Sequence, residues 1–200
     1  MTRSRLIPSL LAALLMALAL PAAAQPAPST AKAPKVNTAQ VLRGAYLMKT
    51  SACMDCHTPL KMGPNGPEPD MSRLYSGHPQ GTQLSPAPAL TGSWMTVASD
   101  TMTAWVGPWG TSFTANLTPD PETGLGRWTE KDFIQTIRTG RHLGRGRPVL
   151  PTMPIPVYSQ MTDADLKAIY AYLRTLPPIR NQVPDPLPPA APTAPAASQP

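Results

Sequence analysis

Cys53, Met54, Asp55, Cys56 and His57 spell C-x-x-C-H and use both cysteines of the 200-residue chain. Two thiols at this spacing reach both vinyl groups of one porphyrin. The adjacent histidine then lies beneath the ring, with an imidazole nitrogen for the iron. The pattern points to covalent attachment of one c-type haem. Other uses of the same residue types fit less well. A thioredoxin-like redox pair expects a βαβ context, which the flanking sequence does not supply. A closed zinc site needs four ligands, and besides His57 the chain offers only His78 and His142 as histidines.

An iron held by one histidine has a second axial position to fill. The stretch from Pro148 to Pro156 (PVLPTMPIP) sets one methionine among alternating prolines, which are expected to stiffen the backbone and bar both helix and sheet. A thioether on a rigid extended loop suits the far side of a haem, so Met153 is the favoured sixth ligand. Met161, Met62, Met71 and His142 compete for the position. His78, within Ser76-Gly77-His78-Pro79, could ligate iron but reads better as a surface or loop histidine. The second nitrogen of His57 needs a partner, often a backbone carbonyl, and Gly63–Pro67 is the expected source. Trp105, Trp109 and Trp128 either line the haem edge, donate an indole N–H to a propionate, or fill aromatic core.

Three helices are expected to position these groups. Asn37 or Thr38 can cap the first. Its apolar stripe is read as Val41, Leu42, Ala45 and Tyr46, with Leu42 and Tyr46 in the core. This helix delivers the C-x-x-C-H turn. Thr129 with Asp132 three residues on makes a capping box for the second, which carries Phe133, Ile134 and Ile137 and ends near Gly140. Arg138, Arg141, Arg145 and Arg147 cluster just beyond, as either a solvated basic surface or a docking patch for an acidic redox partner. Thr162 and Asp165 repeat the capping pattern for the third, whose stripe is Leu166, Ile169, Tyr170 and Leu173. Its apolar face should pack on the first helix and the haem edge. Between Thr58 and Gly110, repeated Pro and Gly forbid long regular elements. Thr96–Val106 reads as a short helix or strands, Gly107–Gly110 as a turn and Thr111–Thr118 as β-compatible.

The ends differ in composition from the middle. Residues 1–24 read as a signal peptide: Arg3 and Arg5, an apolar Leu6–Leu20 run, then Ala22-Ala23-Ala24 before a cut at Gln25. An uncleaved membrane anchor is the alternative, and the run is short for a span of ~20 residues. Residues 25–36 read as a flexible linker and 37–180 as the folded domain. Nine of the 28 prolines lie between Pro177 and Pro200, so 181–200 is expected to be a disordered tail. The formal charge of +6 becomes +4 without Arg3 and Arg5. The basic residues are scattered and no recognition module is visible, which argues against nucleic acid.

The order of helix, C-x-x-C-H, long loop, helix, Met loop and helix resembles class I c-type cytochromes. It resembles more closely a bacterial group of exported cytochromes and dehydrogenase cytochrome subunits with one or several haems. The stretches that carry the resemblance are RGAYLMKTSACMDCHTP, SGHP, ANLTPDPETGLGRWTEKDF and LPTMPIPVYSQMTDADLKAIYAYLRTLPP, which span most of Arg43 to Pro178. The resemblance implies a mostly α, cytochrome c-like fold around one covalently bound haem c. Cys53 and Cys56 would be the attachment points, with His57 and Met153 as axial ligands of the iron. It implies a periplasmic electron carrier rather than an enzyme. Its partners would be a dehydrogenase, a terminal oxidase or another cytochrome, with membrane association possible but not indicated. The alternative function is a haem protein with an open or labile sixth site that binds a small ligand or peroxide.

Overall fold

The computed structural model describes residues 37–90 and 92–189. The expected signal peptide 1–24 and linker 25–36 lie outside the described residues. In chain order the elements begin with helix α1 (Thr38–Thr50) and the short α2 (Cys53–His57), followed by strands β1 (Leu60–Gly63) and β2 (Gly66–Pro69). Three further strands follow: β3 (Val97–Ala98), β4 (Ala104–Gly107) and β5 (Gly110–Phe113). The chain then forms α3 (Glu130–Thr139), α4 (Ile155–Tyr158) and α5 (Asp163–Leu173). β1 and β2 form an antiparallel hairpin, and β3-β4-β5 a three-stranded antiparallel sheet. Among the described residues the longest helix has 13 residues. The expected helices are present, but they share the described chain with these sheets and long loops.

Asn37 caps α1, its Oδ1 accepting from the Gln40 N–H at 3.2 Å. The buried face is Gly44, Leu47 and Met48. Leu42 and Tyr46, expected in the core, are instead 65% and 58% exposed. The reason is Gly44. A Cβ there would lie 1.9 Å from the Ala168 carbonyl oxygen and 2.8 Å from Tyr172 Cβ, so α1 and α5 touch backbone to backbone. Only the face carrying the glycine permits that approach, and it turns Leu42 and Tyr46 outward. Arg43, beside them, bonds Asp165 of α5 at 3.0 Å.

The α3 capping box forms in both directions between Thr129 and Asp132, and Gly140 ends the helix in the left-handed region. At α5, Thr162 Oγ1 accepts from the Asp165 N–H at 3.1 Å, while the Asp165 carboxylate pairs with Arg43. The proline stretch does not bar helix throughout. Ile155-Pro156-Val157-Tyr158 makes one turn, with Pro154 O accepting from the Val157 and Tyr158 N–H groups at 3.0 and 3.1 Å. Proline is tolerated there because a first-turn N–H has no partner inside the helix.

The folded chain does not stop at Arg180. Residues 181–189, expected in the disordered tail, pack back on the domain, while 190–200 lie outside the described residues. Asn181 is 1% exposed. Its Oδ1 accepts from Arg73 Nη2 and the Gln80 N–H, both at 2.8 Å, and its Nδ2 donates to Ser76 O and His78 O at 2.7 and 2.8 Å. A buried amide with every position bonded holds the chain in place. Proline content alone signalled a tail and concealed this anchor.

Candidate functional site

A cavity of about 470 Å³ opens between α5, α3, the C-x-x-C-H turn and the Met153 loop. Cys53, Cys56, His57 and Met153 all line it. Its size is within the range of cofactor pockets, ~300–1,000 Å³. Met48, Phe133, Ile137, Leu166, Ile169 and Leu173 give it an apolar interior.

Ala52, left-handed at φ 56°, turns the chain out of α1 and into α2, which presents both thiols and His57 within one helical turn. The two thiols are not bridged. Burial pushes the Cys53 thiol up to about 11 and raises Cys56 as well. This is the opposite of the shift that activates a thioredoxin-type nucleophile. His57 is buried, and burial lowers its pKa despite the opposing effect of its hydrogen bond to Ala115. Its Nδ1–H donates to Ala115 O at 2.8 Å, which leaves Nε2 with its lone pair for an iron. The partner carbonyl is therefore Ala115, just beyond β5, and not one from Gly63–Pro67. That glycine-proline segment forms the tip of the β1-β2 hairpin.

Met153 is partly buried in the cavity wall. The loop that holds it is tied at α4, where Tyr158 Oη donates to Ser51 O at 2.6 Å, next to the cysteine turn. Of its competitors, Met161 and His142 also line the cavity, whereas Met62 and Met71 are 79% and 59% exposed and do not. His78 does not line it either. His78 lies in a loop, as expected, but not at the surface: it is 1% exposed, with Nδ1 bonded to Thr103 Oγ1 at 2.9 Å and its ring 4.9 Å from that of Phe113.

Trp105 and Trp128 line the cavity; Trp109 instead folds over Gly107 and lines a neighbouring hollow. Trp105 Nε1 and Thr114 Oγ1 are buried polar atoms of cavity-lining residues that have no hydrogen-bond partner among the described residues. Such orphans are costly unless a bound group satisfies them. Two donors, an apolar slot, two thiols and an imidazole with its Nε2 free would suit a haem, whose propionates Trp105 and Thr114 would be able to bond. Of the four clustered arginines, Arg138 bonds Asp163 at 2.6 Å, Arg145 lies 3.7 Å from Asp132, and Arg147 lines the cavity with His142. Ala115, Thr114 and Tyr158 were not singled out from the sequence. The first acts through its backbone, and the other two are common residue types with no motif of their own.

Paired terminal helices, with a cysteine-histidine turn and a methionine loop on one cavity, are consistent with a cytochrome c-like fold. No family model matches the chain. The chain is similar to the cytochrome c subunit of the quinone-dependent alcohol dehydrogenase of Gluconobacter oxydans, 30% identical over 158 residues, covering 78% of this chain and 26% of that one. It is similar to the gluconate 2-dehydrogenase cytochrome c subunit of Pantoea cypripedii, 30% identical over 138 residues, covering 69% and 23%. A shorter match joins it to a nicotinate dehydrogenase subunit of Pseudomonas putida, 42% identical over 78 residues, covering 38% and 6%. The chain thus spans about a quarter or less of the length of these curated relatives.

Proposed function

We propose that this chain is an exported, single-haem c-type cytochrome domain that passes one electron between a dehydrogenase and the respiratory chain in the periplasm. The observation that carries the reading is the convergence of Cys53, Cys56, His57 and Met153 on one cavity whose lining also includes the apolar Met48, Phe133, Ile137, Leu166, Ile169 and Leu173. Support for a dehydrogenase partner comes from the relatives, which are subunits of such enzymes. Among the described residues no helix is long and apolar enough to cross a membrane.

In this reading Cys53 and Cys56 would form the two thioether links, and His57 Nε2 and Met153 Sδ would hold the iron. When bound, the haem supplies the ferric–ferrous couple. Ala115 fixes the tautomer and orientation of His57, which raises the basicity of its free nitrogen. The apolar residues of α3 and α5 exclude water, and the thioether favours the reduced state. The Tyr158–Ser51 bond joins the two ligand-bearing segments, so that neither has far to move as the charge changes.

The absorption spectrum of the mature protein tests this. One covalent haem per chain, a weak red band in the oxidised form and refusal of carbon monoxide by the reduced form are the expected results. A high-spin oxidised spectrum with prompt carbon monoxide binding would instead establish an open sixth site and the ligand-binding function. A chain without covalent haem would end the proposal.

A further inference from the structure

We infer that the segment from Asn181 to Leu187 is a built wall of the cofactor cavity that limits water at the haem and so tunes its reduction potential. The inference rests on the haem reading above. Two anchors hold the segment. At one end the buried Asn181 side chain makes four hydrogen bonds to Arg73, Gln80, Ser76 and His78. At the other, Leu187 and Thr111 exchange both N–H···O bonds at 2.9 Å. Between the anchors Gln182, Val183 and Asp185 line the cavity with Pro184 and Pro186. Fixed φ at those two prolines keeps the span extended without a hydrogen-bond ladder of its own.

The remainder of the fold is shaped around this segment. Gly110, at φ +94°, sits where a Cβ would be 2.1 Å from Leu187 O, so the β4-β5 turn leaves room for it. The Asn116 amide reaches Ile179 O at 2.8 Å, and the Ile179 N–H donates to Thr118 Oγ1 at 3.1 Å, which steers the chain onto this course directly after α5. A passive extension needs none of these bonds. Excluding water disfavours the more highly charged oxidised form, so a closed wall raises the potential.

Potentiometric titration of the full-length holoprotein, alongside two variants, tests the inference. Leu187→Pro removes the N–H that bonds Thr111 at an exposed position and frees the far anchor. The expected result is a lower midpoint potential with an unchanged absorption spectrum, and faster hydrogen exchange at the Thr111 amide. Val183→Lys puts a cation in the wall and is expected to raise the potential, less so at high salt. General loosening would move both variants the same way, so opposite shifts support the inference. Shifts of one sign in both overturn it. So does an unchanged potential in Leu187→Pro once exchange shows the anchor released. A protein lacking covalent haem overturns the underlying reading, and its absorption spectrum reveals this before any titration.

Discussion

His57 and Ala115 are joined through a 2.8 Å bond from imidazole Nδ1–H to carbonyl oxygen across 58 residues of sequence. The contact is reinforced from the side. The Gly77 N–H donates to His57 O at 2.8 Å, and the His78 N–H donates to Thr114 O at 2.9 Å. The Ser76–His78 segment therefore sits between the cysteine turn and the loop that follows β5, and links the two. A histidine oriented this way is a ligand with one free nitrogen and little rotational freedom, which is what an axial iron ligand needs.

Gly77 is the residue that permits this arrangement. It has φ +76°, and a Cβ would fall 2.3 Å from Thr114 O and 2.6 Å from Ala115 O, the acceptor of His57. Gly77→Ala combines left-handed strain of ~1–2 kcal/mol with a backbone clash that moves Ala115. Thermal or denaturant unfolding should show a loss of ~2–4 kcal/mol, at the upper end of single-residue effects. The oxidised spectrum should also change, because the push falls on the partner of His57. A variant as stable as wild type with an unaltered spectrum would refute the coupling.

Met153, Met161 and His142 all face the cavity. Replacing each with alanine in turn separates them. Met153→Ala is expected to abolish the weak red band of an iron–thioether bond and to open the reduced protein to carbon monoxide. Met161→Ala and His142→Ala should leave both properties as in wild type, because Met161 follows the loop and His142 packs edge-on to Trp128 at 5.0 Å. Loss of the band in Met161→Ala alone would assign the ligand to Met161.

How much of this was legible in the sequence depended on the kind of signal. The Thr129–Asp132 box is a local pattern complete within a few residues and read directly, and the α1 cap was narrowed to Asn37 or Thr38, of which Asn37 takes the role. The Ala115 carbonyl was invisible because backbone oxygens have no identity in sequence. The Asn181 anchor was hidden by proline-rich surroundings, since its four partners lie more than 100 residues away. The face of α1 was misread because Leu42 and Tyr46 offer more apolar area than Gly44. The decisive quantity there was interhelical distance, which periodicity does not encode.

That misreading yields its own test. Leu47 is 8% exposed beside Gly44, and Leu42 is 65% exposed on the outer face. Leu47→Ala should cost ~2–5 kcal/mol of unfolding free energy through lost burial and a residual cavity. Leu42→Ala should change it by no more than ~0.5 kcal/mol. Urea unfolding followed by circular dichroism measures both. Equal costs would restore the Leu42 and Tyr46 face as core.

Acid should weaken the protein partly through Asp132. The Thr129 hydroxyl, and then the Thr129 N–H, hold the Asp132 carboxyl below its ordinary 3.8. The unfolded chain lacks both bonds, so between 3.8 and the lower folded value the unfolded state binds more protons than the native one. Asp132's contribution is fully present above 3.8 and is lost as pH falls through the folded value. Asp70, Asp120 and Asp165 are depressed in the same direction by their own partners, so the wild-type slope contains all four. Asp132→Asn isolates one of them. The variant should be less stable than wild type at neutral pH, and the two curves should converge as pH drops below 3.8. Because α3 carries Phe133 and Ile137 into the cavity lining, the loss should also appear as an earlier acid-induced change in the haem spectrum. Parallel stability curves across that range would show that the capping box does not set the acid limit of α3.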